Sequence, residues 1–205
     1  MSGVGDARER ILRVAEAQFL AHGLGGVTMD DIAAELRMSK KTLYQHFPSK
    51  DALCVAAIER AMANLDAELE QAIAREAASF DELLARVAQI VATRLKGTGP
   101  LLQELSQDAP ALYERLQTLR QEVIYRRPGA WIAQGMSSGA LRDDVRPELI
   151  VRILLTLAHH IIEPKALSEL GLDPSEAHRQ MMSVILDGIR VRAPAPLSSS
   201  RAEES

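Results

Sequence analysis

The sequence predicts an all-α fold in two parts, and three observations carry that prediction. Aromatic residues make up only 3% of the 205 residues while 47% are hydrophobic, with Ala and Leu abundant, a balance that favours helix packing over β-structure. Apolar residues recur at helical spacing through most of the chain, and no convincing strand pattern or internal repeat interrupts them. Residues 28–50, TMDDIAAELRMSKKTLYQHFPSK, hold two short amphipathic segments joined by a tight turn, the second carrying lysines, a threonine and a tyrosine. Two helices at a fixed angle, with a basic and polar second helix, describe a helix-turn-helix DNA reader.

Taken in order, residues 8–22 place Ile11, Ala15 and Phe19 on one stripe with Leu12 beside it, and Gly23 can close that helix in the left-handed conformation. Residues 24–27 are a Gly-rich connector. Thr28 caps the second helix, with Asp31 at the capping-box position and Ile32, Ala33 and Leu36 as the inner face. Residues 37–39 form the turn, and Ser39 caps a third helix that Pro48 stops near Phe47. Ser49 caps a long fourth helix, running without a breaker to about Ala74. Residues 80–95 are amphipathic and end at Gly97-Thr98-Gly99-Pro100, and residues 101–108 form a short helix before Pro110. Residues 111–137 read as one long helix that Pro128-Gly129 should kink or break. After a loop over 138–145, Pro147 begins a helix reaching about Ile162, whose end Pro164 disturbs, and Pro174 begins a last helix to about Val191. Residues 193–205, APAPLSSSRAEES, are expected to be a disordered tail, because they cannot bury enough apolar surface to fold. The expected domains are thus 6–50 for DNA binding and 51–192 for a larger helical body.

Net charge is −4, which alone argues against nucleic acid, but the charge is unevenly spread. The first 55 residues balance, and residues 36–50 hold Arg37, Lys40, Lys41 and Lys50 with no carboxylate. Phosphate binding needs a local patch and not a basic whole. A single cysteine, Cys54, excludes an intrachain disulfide and a Cys-based zinc site. The amino terminus has no apolar signal region, and the longest apolar run, 150–162, is too short and polar to span a bilayer. The expectation is a cytoplasmic protein with no membrane partner and no cofactor.

Within the third helix, Leu43 and Phe47 lie at i, i+4 and anchor it to its scaffold. Lys41, Thr42, Tyr44 and Gln45 then project from the other side, with Lys40 at the margin. Lys donates well to guanine O6 and N7, and Gln pairs with adenine, whereas Thr, Tyr and His suit phosphate oxygens. Thr28, at the positive end of the second helix, can meet a phosphate as well. The DNA-contacting set read from these residues is Thr28, Arg37, Lys40, Lys41, Thr42, Tyr44, Gln45, His46 and Lys50.

With ILRVAEAQF, HGLGGVTMDDIAAEL and MSKKTLYQHFPSKDAL in place, the chain from Ile11 to Ile58 resembles the N-terminal domain of TetR-type transcriptional regulators. The block from Thr28 to Ala33 and the Leu43-Tyr44-x-x-Phe47-x-x-Lys50 spacing are its specific parts, and it covers about a quarter of the chain. One departure is Arg37, where the turn commonly holds a small residue; in a left-handed conformation it carries a modest strain. The resemblance implies that Lys41, Thr42, Tyr44, His46 and Lys50 sit at DNA-touching positions. It also implies a homodimer on a palindromic operator, acting as a repressor that a small-molecule effector releases from the C-terminal domain.

In the body, residues 150–162 and the last helix are apolar on more than one face, so each needs two partners. Ile153, Leu154, Leu157, Ile161, Met181, Ile185 and Ile189 are the expected dimer contacts, in the way the last long helices of TetR-like proteins pair. Tyr113, Tyr125, Trp131, Met136 and His159 are the candidates to line an effector cavity. His159, His160 and Glu163 invite a metal, yet three or four convergent ligands are required and the only Cys is distant, so no metal is expected. A helical enzyme built on those residues is a rival that lacks a phosphate loop, nucleophile elbow or zinc signature. A constitutive DNA-binding protein without an effector is the other.

Overall fold

The computed structural model describes residues 3–75, 77–125 and 128–190, with the side chains of 3–5, 124, 125, 128 and 130 left aside. The expected tail, 193–205, lies outside the described residues. Among those described there are eleven helices and no strand; one isolated bridge pairs Leu141 with Arg190.

The N-terminal part is built from α1 (Gly3–His22), α2 (Met29–Glu35) and α3 (Lys40–His46). Ile11, Leu12, Ala15 and Phe19 form the buried stripe of α1, and Gly23 (φ +74°) closes it, its N–H donating to the Phe19 carbonyl at 3.0 Å. At the start of α2 the capping box is complete: the Asp31 N–H donates to Thr28 Oγ1 (3.2 Å), and the Thr28 N–H to Asp31 Oδ2 (2.9 Å). Arg37 adopts φ 53°, the left-handed turn conformation, and the Met38 N–H satisfies the Ala33 carbonyl at 3.0 Å. Ser39 Oγ then accepts from the Thr42 N–H and opens α3.

α4 (Lys50–Ala74), capped by Ser49, has 25 residues and spans about 37 Å. Its first half buries Leu53, Cys54, Ala56 and Ala57 in the core of α1–α3, and its second half buries Leu65 and Leu69 in the core of the body. Leu105 and Leu112, from the body, complete the first core. An edge at residue 50 therefore does not coincide with an edge of that core. Arg60 adds polar ties from α4 to α1, to Glu9 and Glu16, each at 2.5 Å.

The body follows with α5 (Phe80–Leu95), α6 (Gly99–Asp108), α7 (Pro110–Tyr125), α8 (Pro128–Ser137), α9 (Pro147–Ile161), α10 (Pro164–Leu170) and α11 (Pro174–Ile189). α4 packs on α5 and α7, α11 on α5 and α9, and α8 on α9. The expected kink or break at Pro128-Gly129 adjoins residues 126 and 127, which lie outside the described residues. α10 is the element that the sequence reading lacks. Pro164 does more than disturb the end of α9: it occupies the first turn of a new helix, where its missing N–H costs nothing, and left-handed Gly171 closes that helix.

Candidate DNA-binding surface and ligand cavity

α3 is held by its apolar edge. Leu43 and Phe47 are buried against α1 and α2, and the Arg8 guanidinium lies 5.3 Å from the Phe47 ring centroid. Lys40, Lys41 and Gln45 are exposed, and Tyr44 is 47% exposed, an unusual placement for a phenol with nothing to cover it. Thr42 and His46 are half-buried, and Thr42 Oγ1 lies 2.8 Å from Ser39 Oγ. Lys41, Tyr44 and Gln45 thus share the outward side of one short helix.

Three of the expected DNA contacts have other occupations. Lys40 forms an ion pair with Asp30 of α2, and that hydrogen bond, followed by the charge of Asp30, raises the lysine pKa. The acid-free run of residues 36–50 is therefore not acid-free in space. The Lys50 ammonium donates to the carbonyls of Leu24 (2.9 Å) and Val27 (3.2 Å) and so holds the connector between α1 and α2. The Thr28 hydroxyl donates to Asp31 Oδ2 at 2.5 Å within the cap. Arg37 is exposed, and neither it nor Lys41 has an ion-pair partner among the described residues.

The connector is gripped from the body as well. Glu104 of α6 accepts from the N–H groups of Leu24 (2.8 Å) and Gly25 (2.5 Å). A Cβ at residue 26 would sit 2.3 Å from the His22 carbonyl oxygen, so that position requires glycine, and the positive φ of Gly23 (+74°) strains any other residue there.

On the body, the outer faces of α9 and α11 differ from the expected phase. Leu154, Met181 and Ile185 are buried in one cluster within the chain, and Ile161 and Ile189 are half-buried against it. Ile153 (44% exposed) and Leu157 (37%) face outward, as do Leu149 and Val184, the last at 76%. The correction is one of helix rotation: the inward stripe takes Leu154 and Ile185, and the bare stripe runs through Leu149, Ile153 and Leu157 with Val184 beside it.

A cavity of about 210 Å³ runs through the body. Packed cores hold few voids larger than a water molecule, so this is more than a packing defect. Its walls are nearly all apolar, from α1, α4, α5, α6, α7, α8, α9 and α11. The polar groups on them are few: Glu16, Arg94, Thr98, Arg120, Trp131 and His178. Of the expected cavity residues only Trp131 belongs here. Tyr113 and His159 line a separate, more polar cleft with Gln117, Glu163 and Lys165. Met136 packs against the core of the body, and the Tyr125 side chain lies outside the described residues.

His160 Nδ1 lies 3.0 Å and His159 Nε2 3.7 Å from Glu163 Oε1, and the two imidazoles meet edge to face at 5.0 Å. Three donor atoms converge there, one fewer than a tetrahedral structural zinc uses. Burial and then the neighbouring Arg120 charge lower the His159 pKa, and that same charge opposes a cation in the cluster. Cys54 is buried, and burial pushes its thiol up to about 11, so it is a packing residue and a poor nucleophile near neutral pH.

His178 is buried with its Nδ1 unpartnered, and burial lowers its pKa to about 4 from an ordinary 6.5. Between those values the unfolded chain binds the proton that the folded chain refuses, so stability falls as pH drops through that window. The expected loss is on the order of 3 kcal/mol. Urea denaturation at pH 7 and pH 4.5 should show it, with a smaller difference in His178→Leu; an equal loss in both proteins would contradict it.

Residues 11–57 match the model of the family described as bacterial regulatory proteins, tetR family. The HTH-type transcriptional repressor SCO4008 of Streptomyces coelicolor is 36% identical over 58 residues, covering 28% of this chain and 30% of that protein. The HTH-type transcriptional repressor DhaR of a Mycobacterium species is 23% identical over 151 residues, covering 72% of this chain and 76% of that protein. Among solved structures, the reduced form of E. coli NemR superposes with a TM-score of 0.67 at 16% identity, covering 92% of this chain and 99% of that one. The family model thus matches the N-terminal part, and the likeness to NemR is one of fold.

Proposed function

We propose that this chain is a transcriptional regulator of the TetR type, and that it acts as a cytoplasmic homodimeric repressor. Two copies of α3 enter successive major grooves of a palindromic operator, and a small effector in the body cavity releases them. The observation that carries the DNA reading is the arrangement of α3, with Leu43 and Phe47 buried and Lys41, Tyr44 and Gln45 exposed on one side. Lys41 and Gln45 read base edges; Arg37, Tyr44 and His46 hold phosphates. Thr28, Lys40, Thr42 and Lys50 contribute chiefly by setting the position of α2, α3 and the connector, since their polar atoms are already engaged.

The bare apolar stripe on α9 and α11 supports self-association, because such a stripe on a water-facing helix is stable only when covered. The cavity favours an effector over a constitutive protein. A ligand that prefers a body shape with a different spacing of the two α3 helices draws the population away from DNA. Repression is the proposed sign of control because blocking a promoter requires only occupancy.

Fluorescence anisotropy on a footprinted operator fragment and on random DNA tests the assignment. Lys41→Ala should lose roughly 1–3 kcal/mol of discrimination between the two. Arg37→Ala should weaken both and lower the salt slope by about 1. Equal losses on both DNAs in Lys41→Ala would remove Lys41 from base reading.

A further inference from the structure

Resting on the effector reading above, we infer that the cavity takes an amphipathic monoanion, a single hydrocarbon chain whose carboxylate is bound by Arg120. Arg120 is only 6% exposed and lies on the cavity wall. Its one hydrogen bond among the described residues is a long one, 3.5 Å, to the His159 carbonyl. No described carboxylate lies within ion-pair distance of it. The acid whose charge it feels, Glu163, is directed to His159 and His160. A buried guanidinium without an anion is costly, and proteins ordinarily supply one. Here the space beside it is a cavity, so the ligand supplies the anion. A carboxylate matches the planar fork of a guanidinium better than any neutral group does.

Two further residues of the lining carry polar atoms that lack partners. Trp131 Nε1 and His178 Nδ1 are both buried and make no hydrogen bond. Unpaired buried polar atoms are rare in folded proteins, and both of these belong to residues of the cavity lining. His178 is uncharged at neutral pH, Arg94 is paired with Glu68 and Glu16 with Arg60, so Arg120 leaves the cavity a net charge of one. One negative charge satisfies it, and a dianion would leave a buried charge uncompensated.

Shape specifies the rest of the ligand. The cavity follows α4 from Cys54 to Leu69, a rise of about 22 Å. A volume of about 210 Å³ drawn out over that length is narrow, and Met62, Leu65, Leu69 and Leu105 offer nothing to a polar substituent. A flexible alkyl chain fits such a channel, whereas a fused ring system demands width.

Trp131 is the sole tryptophan, so intrinsic fluorescence reports on the cavity directly. The full-length protein is titrated with dodecanoate and hexadecanoate and with the matching alcohols, and operator binding is followed in parallel. The expected result is saturable quenching or shift by the carboxylates, with the alcohols at least tenfold weaker. Arg120→Gln should lose at least tenfold for the carboxylates and leave the alcohols unchanged; Arg120→Lys should recover part of the loss. Circular dichroism melting of each variant ensures that a folded protein is compared. Equal binding of acid and alcohol, or carboxylate binding indifferent to Arg120→Gln, overturns the inference, as does the absence of any chain ligand from a protein that still binds its operator. Carboxylates that bind through Arg120 without releasing DNA sustain the inference and overturn the effector reading instead.

Discussion

Replacing Leu157 and Val184 together by glutamate is expected to leave the protein monomeric and to lower operator affinity roughly 10²–10⁴-fold. Both side chains face water in the single chain, at 37% and 76% exposure, so the carboxylates are solvated in the monomer and leave the fold intact. In a dimer the same groups meet across a two-fold axis, where every substituted position faces its own copy or a near neighbour. Four like charges in an apolar seam have no partners, and burying them is prohibitive. The affinity falls because a palindrome is read by two modules joined at high effective concentration, and separated modules lose that advantage. Sedimentation velocity and anisotropy on the operator measure the two effects. A double variant that stays dimeric would place the pairing surface elsewhere. The same change at Leu154 and Ile185 is uninformative about pairing, since these residues are buried within the chain and their loss would unfold it.

Leu43→Ala is expected to destabilise the DNA-binding domain by about 2–5 kcal/mol. Leu43 has no exposed surface, and its side chain fills the angle between α3 and the rest of the first core. α3 has seven residues, too few to be stable as an isolated helix, so packing alone holds it. Domain stabilities run from roughly 5 to 15 kcal/mol, and the loss is a large share of the lower figure. Hydrogen exchange should show α3 opening before the body, together with lost operator affinity. Gln45→Ala, on the exposed side, should move stability by less than about 0.5 kcal/mol. Similar protection of α3 in Leu43→Ala and wild type would refute the anchoring role.

Features written in adjacent residues were legible in the sequence. The caps at Thr28, Ser39 and Ser49 and the turn over residues 37–39 each follow from short-range chemistry, and each stands where the sequence placed it. Features that depend on distant partners were not legible. Lys50 reads as a free charge, but its acceptors belong to residues 24 and 27. Asp30 reaches Lys40 from another helix. The phase of α9 and α11 is ambiguous because both carry apolar residues on two sides, and only packing decides which side turns in. Arg120 and His178 escaped notice although each left a trace. Arg120 interrupts the stripe of Leu112, Leu116 and Val123, and His178 stands among Ala177, Met181 and Met182, where a polar residue at an apolar position marks a buried one. The cavity has no local signature at all, since it is the space that helices from distant stretches fail to fill.

The share that Leu105 and Leu112 take in the first core has a practical bearing on engineering. Attempts to exchange DNA specificity by splicing the first fifty residues onto a foreign body would cut through a continuous apolar seam. A working chimera must carry α4 with its reader and present matching leucines from the recipient. Compatibility between halves is then a matter of surface fit at that seam, and the choice of linker is secondary.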